Sequence, residues 1–166
     1  GNIVITSGGD GIKSNNDEDE TLGNVIIENA NITIESKEDG IQAEQSLTIN
    51  NGTFNITTNN GASDLSGKTG WENTKTTSSE ESSKALKAGN IITINNGTFN
   101  INSKEDGIHS NGNVKIENGT FTIKSSDDAL HGDSLVEIND GKFSITASEG
   151  IEATYVKING GNITIN

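Results

Sequence analysis

The chain has no cysteine, proline, methionine or arginine, so all eleven basic residues are lysine. Without cysteine there is no disulfide framework, and the compartment stays open. Positive charge is scarce. The formal net charge is −13, which excludes the basic footprint of a nucleic-acid binder. Such a balance favours cations, or anionic polymers bridged by cations. No apolar run approaches the roughly 20 residues needed to span a membrane. Hydrophobic residues make up 29% and aromatics 4%, a composition that by itself points to disorder. The periodicity points elsewhere. There is no initiator methionine and no visible signal peptide. The first residues, Gly1-Asn2-Ile3-Val4-Ile5, and the last, Gly161-Asn162-Ile163-Thr164-Ile165, are in phase with one repeat. This reads as one domain over 1–166, trimmed from a longer protein.

The repeat has two landmarks. Asp39-Gly40-Ile41 returns as Asp106-Gly107-Ile108, Asp128-Ala129-Leu130 and Glu149-Gly150-Ile151, with Asp10-Gly11-Ile12 before it and a divergent Lys84-Ala85-Leu86. Leu86 to Ile108 is 22 residues, Ile108 to Leu130 is 22, and Leu130 to Ile151 is 21. The second landmark, Leu47 to Ile56, recurs at Ile92 to Ile101, Val114 to Ile123 and Val136 to Ile145. Apolar and polar residues alternate within each copy, the period of a strand. A period near 22 with three short strands per turn is the pattern of an all-β solenoid. The expected fold is a parallel β-helix of about six coils. Ile41, Ala43, Leu47, Ile49, Phe54 and Ile56 should face inward, and Phe54, Phe99, Phe121 and Phe143 should stack in one column. The Asn-Gly pairs at 51, 96 and 118, and Asp140-Gly141, should turn between the second and third strands, because glycine adopts positive φ readily. Asn-Gly also suits a hairpin, so an antiparallel meander is the rival fold. Two insertions, at about 15–22 and 58–83, break the period. They flank the Asp-Gly-Ile strand and should lie as loops on the binding side.

Stacking would place the acids in front of each Gly-Ile in a column about 4.8 Å apart. The column holds Asp10, Asp39, Asp106, Asp128 and Glu149, with Lys84 at one level. Glu38, Glu105 and Asp127 stand one position earlier. Like charges that close raise one another's pKa and oppose folding, so something must neutralise them. Calcium, which takes carboxylate and carbonyl oxygens at about 2.3–2.6 Å, is the expected partner. The densest stretch is Glu105, Asp106, Asp127, Asp128 and Glu149. The other reading is a column of solvated turn carboxylates, some bonded to amides of the next coil. The outward row of the same strand is Lys13, Gln42, Lys87, His109, His131 and Glu152, a polar strip suited to a polyhydroxylated, anionic polymer. Lys84, Lys87, His109 and His131 are its candidate carbohydrate contacts. Trp71, in the longer insertion, offers a flat platform for a sugar ring, or an anchor for its loop.

Ser103-Lys104-Glu105-Asp106-Gly107-Ile108, Ser125-Ser126-Asp127-Asp128-Ala129-Leu130 and the intervening Asn-Gly-Thr-Phe strands resemble the clostridial β-helix carbohydrate-binding domains. The resemblance covers essentially the whole chain, including Ser83 to Ala88 after the long insertion. It implies a right-handed, pectate-lyase-like parallel β-helix that binds calcium and plant cell-wall polysaccharides such as polygalacturonate, pectin or cellulose. It also implies a secreted or cell-surface setting.

Three function classes stay open. A non-catalytic, calcium-binding carbohydrate module is the first. A calcium-dependent pectate lyase is the second. Arginine, the base of several lyases, is absent, which leaves Lys84 or Lys87 as base. A structural or adhesive cell-surface solenoid is the third. Its feature is the outer row of the third strand, with Thr53, Asn55, Thr98, Asn100, Thr120 and Thr122, a type of face that can bind ice. Lys142 and Ser144 interrupt it.

Overall fold

The computed structural model describes residues 1–63 and 81–166. Trp71 lies outside the described residues. Among those residues the protein is all-β, with no helix. In chain order the strands are β1 (Asn2–Ser7), β2 (Ile12–Ser14), β3 (Val25–Ile27), β4 (Ala30–Ser36), β5 (Ile41–Ala43) and β6 (Ser46–Ile49). They continue as β7 (Gly52–Thr58), β8 (Leu86–Ala88), β9 (Ile91–Ile94), β10 (Thr98–Ser103), β11 (Ile108–Ser110) and β12 (Asn113–Ile116). The last five are β13 (Thr120–Ser125), β14 (Asp128–Ile138), β15 (Lys142–Thr146), β16 (Glu149–Ile158) and β17 (Asn162–Ile165). None of them is an antiparallel partner of another; each recorded pairing is parallel, which removes the hairpin meander.

The pairing follows the repeat. A seven-stranded sheet runs β1-β4-β7-β10-β13-β15-β17 and carries the third strand of successive copies. A ten-stranded sheet runs β2-β5-β8-β11-β14-β12-β9-β6-β3, with β16 also on β14. It carries the first and second strands. In the last two copies those two strands join into the single long strands β14 and β16 rather than staying separate. Their register shifts between Gly132 and Leu135.

Register puts like on like. Ile41 partners Leu86, Leu47 partners Ile92, and Phe54 partners Phe99. The 58–83 insertion therefore enters and leaves without breaking the pairing on either side of it. The six inward residues of the copy that starts at Ile41 are 0–1% exposed. Phe54, Phe99, Phe121 and Phe143 stack with ring centroids 4.7, 4.7 and 4.5 Å apart, within 4° of parallel. Parallel pairing at a strand spacing of about 4.8 Å sets this distance. The turn glycines 52, 97, 119 and 141 have φ between 125° and 142°, which explains the glycine at each Asn-Gly or Asp-Gly. The glycine of Asp-Gly-Ile has another cause, close approach. A Cβ on Gly107 would stand 2.7 Å from the Ala129 carbonyl oxygen. Ala85 and Ala129 occupy the same position, and each is flanked by glycine in the copies on either side.

Candidate functional site

The bend before each first strand opens with a serine. Ser7, Ser36, Ser103 and Ser125 each donate to the carbonyl two residues on, at Gly9, Glu38, Glu105 and Asp127. Such serine turns fix the bend locally. The next residue in the pattern is the column acid, and it is not a solvated turn carboxylate. Asp39, Asp106 and Asp128 are 1%, 4% and 4% exposed.

Each column acid works in two directions. One oxygen reaches along the stack. Asp10 Oδ1 accepts from the Asp39 amide (3.0 Å), Asp39 Oδ1 from the Lys84 amide (2.8 Å) and Asp106 Oδ1 from the Asp128 amide (3.1 Å). The other oxygen reaches sideways to the outward row. Asp10 Oδ2 pairs with Lys13 Nζ at 2.7 Å, Asp106 Oδ2 with His109 Nδ1 at 2.8 Å, and Asp128 Oδ2 with His131 Nδ1 at 2.7 Å. These partners sit three residues after the acid in the same copy. At Asp39 that position is neutral Gln42, and Lys87 of the next copy fills the role at 3.1 Å. Lys87 is free to do so because its own column position is Lys84. Lys84 instead meets Glu105 at 3.0 Å and Asp106 at 3.7 Å. The acid column and the cationic row are therefore one hydrogen-bonded system.

The register confirms the row as Lys13, Gln42, Lys87, His109, His131 and Glu152. The two imidazoles stack at 4.7 Å. His131 is ringed by carboxylates. Beyond Asp128, its Nδ1 lies 3.3 Å from Glu152 and its Nε2 3.1 Å from Asp133. The matching Nε2 of His109 lies 3.0 Å from Asn111 Oδ1.

The pattern fails at one point, and the shortened step explains it. Only 21 residues separate Leu130 from Ile151. The amides of Ser148 and Glu149 both turn to the Asp127 carbonyl, at 3.1 and 3.4 Å. No amide reaches Asp128 Oδ1. Among the described residues it is the buried side-chain oxygen left without a hydrogen-bond partner. An unpaired buried acceptor is costly, and this one has a carboxylate neighbour on each side.

The electrostatics follow. Burial pushes the Asp128 carboxyl up to about 7, with Glu152, Asp106 and Asp127 adding to the rise and the His131 hydrogen bond opposing it. Burial also raises Asp127, helped by Asp106 and Glu149. Burial would lift Asp106 as well, but the His109 hydrogen bond and the Lys84 charge outweigh it and hold that carboxyl below its ordinary value. For His131, burial opposes the charge, yet its bonds to Asp128 and Asp133 keep the imidazole above its ordinary value. Burial works against the Lys84 ammonium, and Asp106 and Glu105 overcome it, so its pKa is raised.

Asp106, Asp127 and Asp128 can bring ligand atoms within 4.8 Å of one another, as can Asp106, His109 and His131, and Asp128, His131 and Glu152. Asp10 and Asp39 are engaged at both oxygens. Glu38 stands beside Gly9, Glu105 is held by Lys84 and the Ser83 amide, and Glu149 is exposed. The sideways pairing of each acid was not foreseen from the sequence, although Asp10-Lys13, Asp106-His109 and Asp128-His131 repeat a three-residue spacing. Glu152 and Asp133 beside His131 were also missed as its partners.

The sequence model of the family described as carbohydrate-binding domain-containing protein matches residues 1–129. The chain belongs to that family. A carbohydrate-binding role, with a polysaccharide partner, follows from that membership. No curated protein and no solved structure matches. Within this carbohydrate-binding domain no described helix is long and apolar enough to cross a membrane.

Proposed function

We propose that the domain is a non-catalytic, calcium-assisted binding module for plant cell-wall polysaccharide. Polygalacturonate or pectin is the first ligand and cellulose the second, in a secreted or cell-surface setting. The fold behind this reading is a right-handed parallel β-helix of about six coils. Parallel, in-register pairing of successive copies supports it. The observation that carries the reading is the ladder of Lys13, Lys87, His109 and His131, each held against a buried aspartate. A uronate chain laid along the ladder presents carboxylates to its cationic side chains. It accepts hydrogen bonds from the same donors. Charge-assisted bonds of this kind are the strong ones.

Calcium fits at Asp106, Asp127 and Asp128. These are hard oxygen donors, and the unpaired Asp128 Oδ1 is an acceptor that a cation would satisfy. Calcium bound there would neutralise the crowded carboxylates and supply positive charge to a uronate. The cation belongs beside Asp128 Oδ1, which has no hydrogen-bond partner, and Asp106, bonded at both oxygens like Asp10 and Asp39, would share one with it. A lysine base must be neutral to take a proton. The Lys84 ammonium is stabilised by Asp106 and Glu105 instead, and Lys87 is paired with Asp39 at 3.1 Å, so both candidate bases are held by carboxylates, which speaks against the lyase.

Calorimetry with polygalacturonate oligomers, in calcium and in chelator, tests the module. Binding should need calcium and fall in Lys87→Ala and in His131→Ala. No binding, or binding that neither variant weakens, refutes the reading. Accumulation of unsaturated product that Lys84→Ala or Lys87→Ala abolishes would make the domain a lyase.

A further inference from the structure

Around His131 the charges do not balance. Three carboxylates approach the ring. Asp128 and Glu152 stand 2.7 and 3.3 Å from Nδ1, and Asp133 stands 3.1 Å from Nε2. Even a charged imidazole answers only one of the three, and among the described residues none of them pairs with a lysine. Nδ1 has one proton to offer, yet two acceptors from two different copies converge on it. Asp128 is 4% exposed, and its Oδ1 has no partner at all. The amide it lacks would come from the next copy, which is also the copy that supplies Glu152. His109 lacks this crowding. It shares the acid three residues before it, but its Nε2 meets the Asn111 carboxamide, and its neighbour further along the row is His131 rather than an acid.

A metal ion can do what one proton cannot. Asp128, His131 and Glu152 bring ligand atoms within 4.8 Å of one another. In a tetrahedral zinc site with bonds of about 2.0–2.2 Å, neighbouring donors stand about 3.3–3.6 Å apart. His131 Nδ1 and Glu152 already have that spacing, at 3.3 Å. Asp128 Oδ2 is at hydrogen-bond distance, 2.7 Å, and would withdraw by about 0.6 Å once an ion replaces the proton between them. Asp133 supplies the support such a site needs. A carboxylate that accepts the other ring N–H fixes the tautomer and leaves the Nδ1 lone pair for the metal. The register shift between Gly132 and Leu135 presents Asp133 there, and Thr154 Oγ1 holds its carbonyl at 2.8 Å. The nitrogen donor selects the ion, because imidazole suits zinc and its neighbours whereas calcium takes oxygens. We propose that Asp128, His131 and Glu152 form a zinc-class transition-metal site. Asp133 stands behind the imidazole, and a fourth position is open to solvent beside the half-exposed Glu152. The site shares Asp128 with the calcium proposed above but does not depend on it.

Equilibrium dialysis of the native chain against zinc chloride, free of calcium, is the test, with cobalt(II) as a spectroscopic stand-in. One ion should bind per chain, and cobalt should show the visible bands of a four-coordinate site. Asp133→Ala should weaken binding by about 10–100-fold, and His131→Ala and Glu152→Ala by more than that. Glu152 and Asp133 are exposed, so their variants should keep the native melting temperature in chelator, and the loss then reports the site rather than the fold. His109→Ala and Asp127→Ala should bind zinc as the native chain does. No zinc bound to the native chain overturns the inference. So does binding that survives in both His131→Ala and Glu152→Ala. A loss in His109→Ala as deep as in Glu152→Ala would put the ion between the two imidazoles, and a loss of that depth in Asp127→Ala would put it at the calcium ligands; either overturns the inference. Failure of calcium chloride to bind in a parallel dialysis would count against the calcium reading alone.

Discussion

Replacing Asp39 by asparagine removes one negative charge and almost no volume. The residue is 1% exposed. Its Oδ1 accepts from the Lys84 amide at 2.8 Å and from Ser82 Oγ at 2.7 Å, and its Oδ2 faces Lys87 Nζ at 3.1 Å. Asparagine keeps an oxygen for the first two donors but turns an amide toward the ammonium. Stripping one partner from a buried ion pair costs about 3–5 kcal/mol. The Lys87 side chain is 24% exposed and recovers some hydration, so about 2–3 kcal/mol is the expected loss. Asp39→Ala should cost more, because two further donors lose their acceptor at about 1–3 kcal/mol each. Adding Lys87→Met to Asp39→Asn should restore about 1–2 kcal/mol, since no buried ammonium is then left unpaired. Urea unfolding followed by circular dichroism in chelator measures all three, with an unchanged m-value as the check on two-state behaviour. A control sits at exposed Asp127, whose raised pKa means that the fold disfavours its charge. Asp127→Asn should be neutral or stabilising. If Asp39→Asn unfolds like the native chain, or if Lys87→Met deepens its defect, the pairing of acid and row is not what stabilises this column.

Phe99 has a stacked ring on both sides, while Phe143 has one on one side only. Phe99→Ala should therefore cost about 3–5 kcal/mol for the cavity and exceed Phe143→Ala by about 0.5–1.5 kcal/mol; the opposite order in denaturant titrations would count against the column. The pH dependence has a definite sign. Asp128, raised to about 7, and His131, also raised, contribute stability that is complete below their unfolded values. It is lost as pH rises through the folded ones. Melting temperature in chelator should thus fall from about pH 4 to about pH 7 through Asp128 and on above the ordinary imidazole range through His131, and Asp128→Asn should flatten the lower part of that slope. Asp106, with its lowered value, acts oppositely, and its contribution disappears as acid protonates it. Calcium at about 100 times its Kd should add about 2.7 kcal/mol of stability, and a shift of the melting curve that survives undiminished in Asp128→Ala, which has no side-chain oxygen to offer, would exclude that residue as a ligand.

Much of the architecture was legible because strand alternation and the repeat carry the same information twice. Ile41, Leu47 and Phe54 are apolar at alternate positions, and Leu86, Ile92 and Phe99 repeat them after the insertion, so register follows from side-chain type. The same rule located the acids and the row. It did not show how they meet. Asp106 and His109 are three apart, which in a straight strand puts them on opposite faces. Only the bend before the strand lets the carboxylate reach across. The joined strands β14 and β16 were also hidden, because the repeat shows three short strands in every copy alike.

The sequence by itself determined the period, which residues match from copy to copy and the addresses of the charged residues, since a strand's inward and outward sides are set by alternation alone. The parallel direction of the pairing came from the structure. Tertiary structure decided what those charges do. Burial made the aspartates anchors for the amides of the next copy. The chance of a neutral Gln42 beside Asp39 sent Lys87 one level back. A step of 21 residues instead of 22 left Asp128 Oδ1 without an amide. That shortfall was visible in the spacing, but its meaning depended on which amides turned elsewhere, and three-dimensional hydrogen bonding alone settles that.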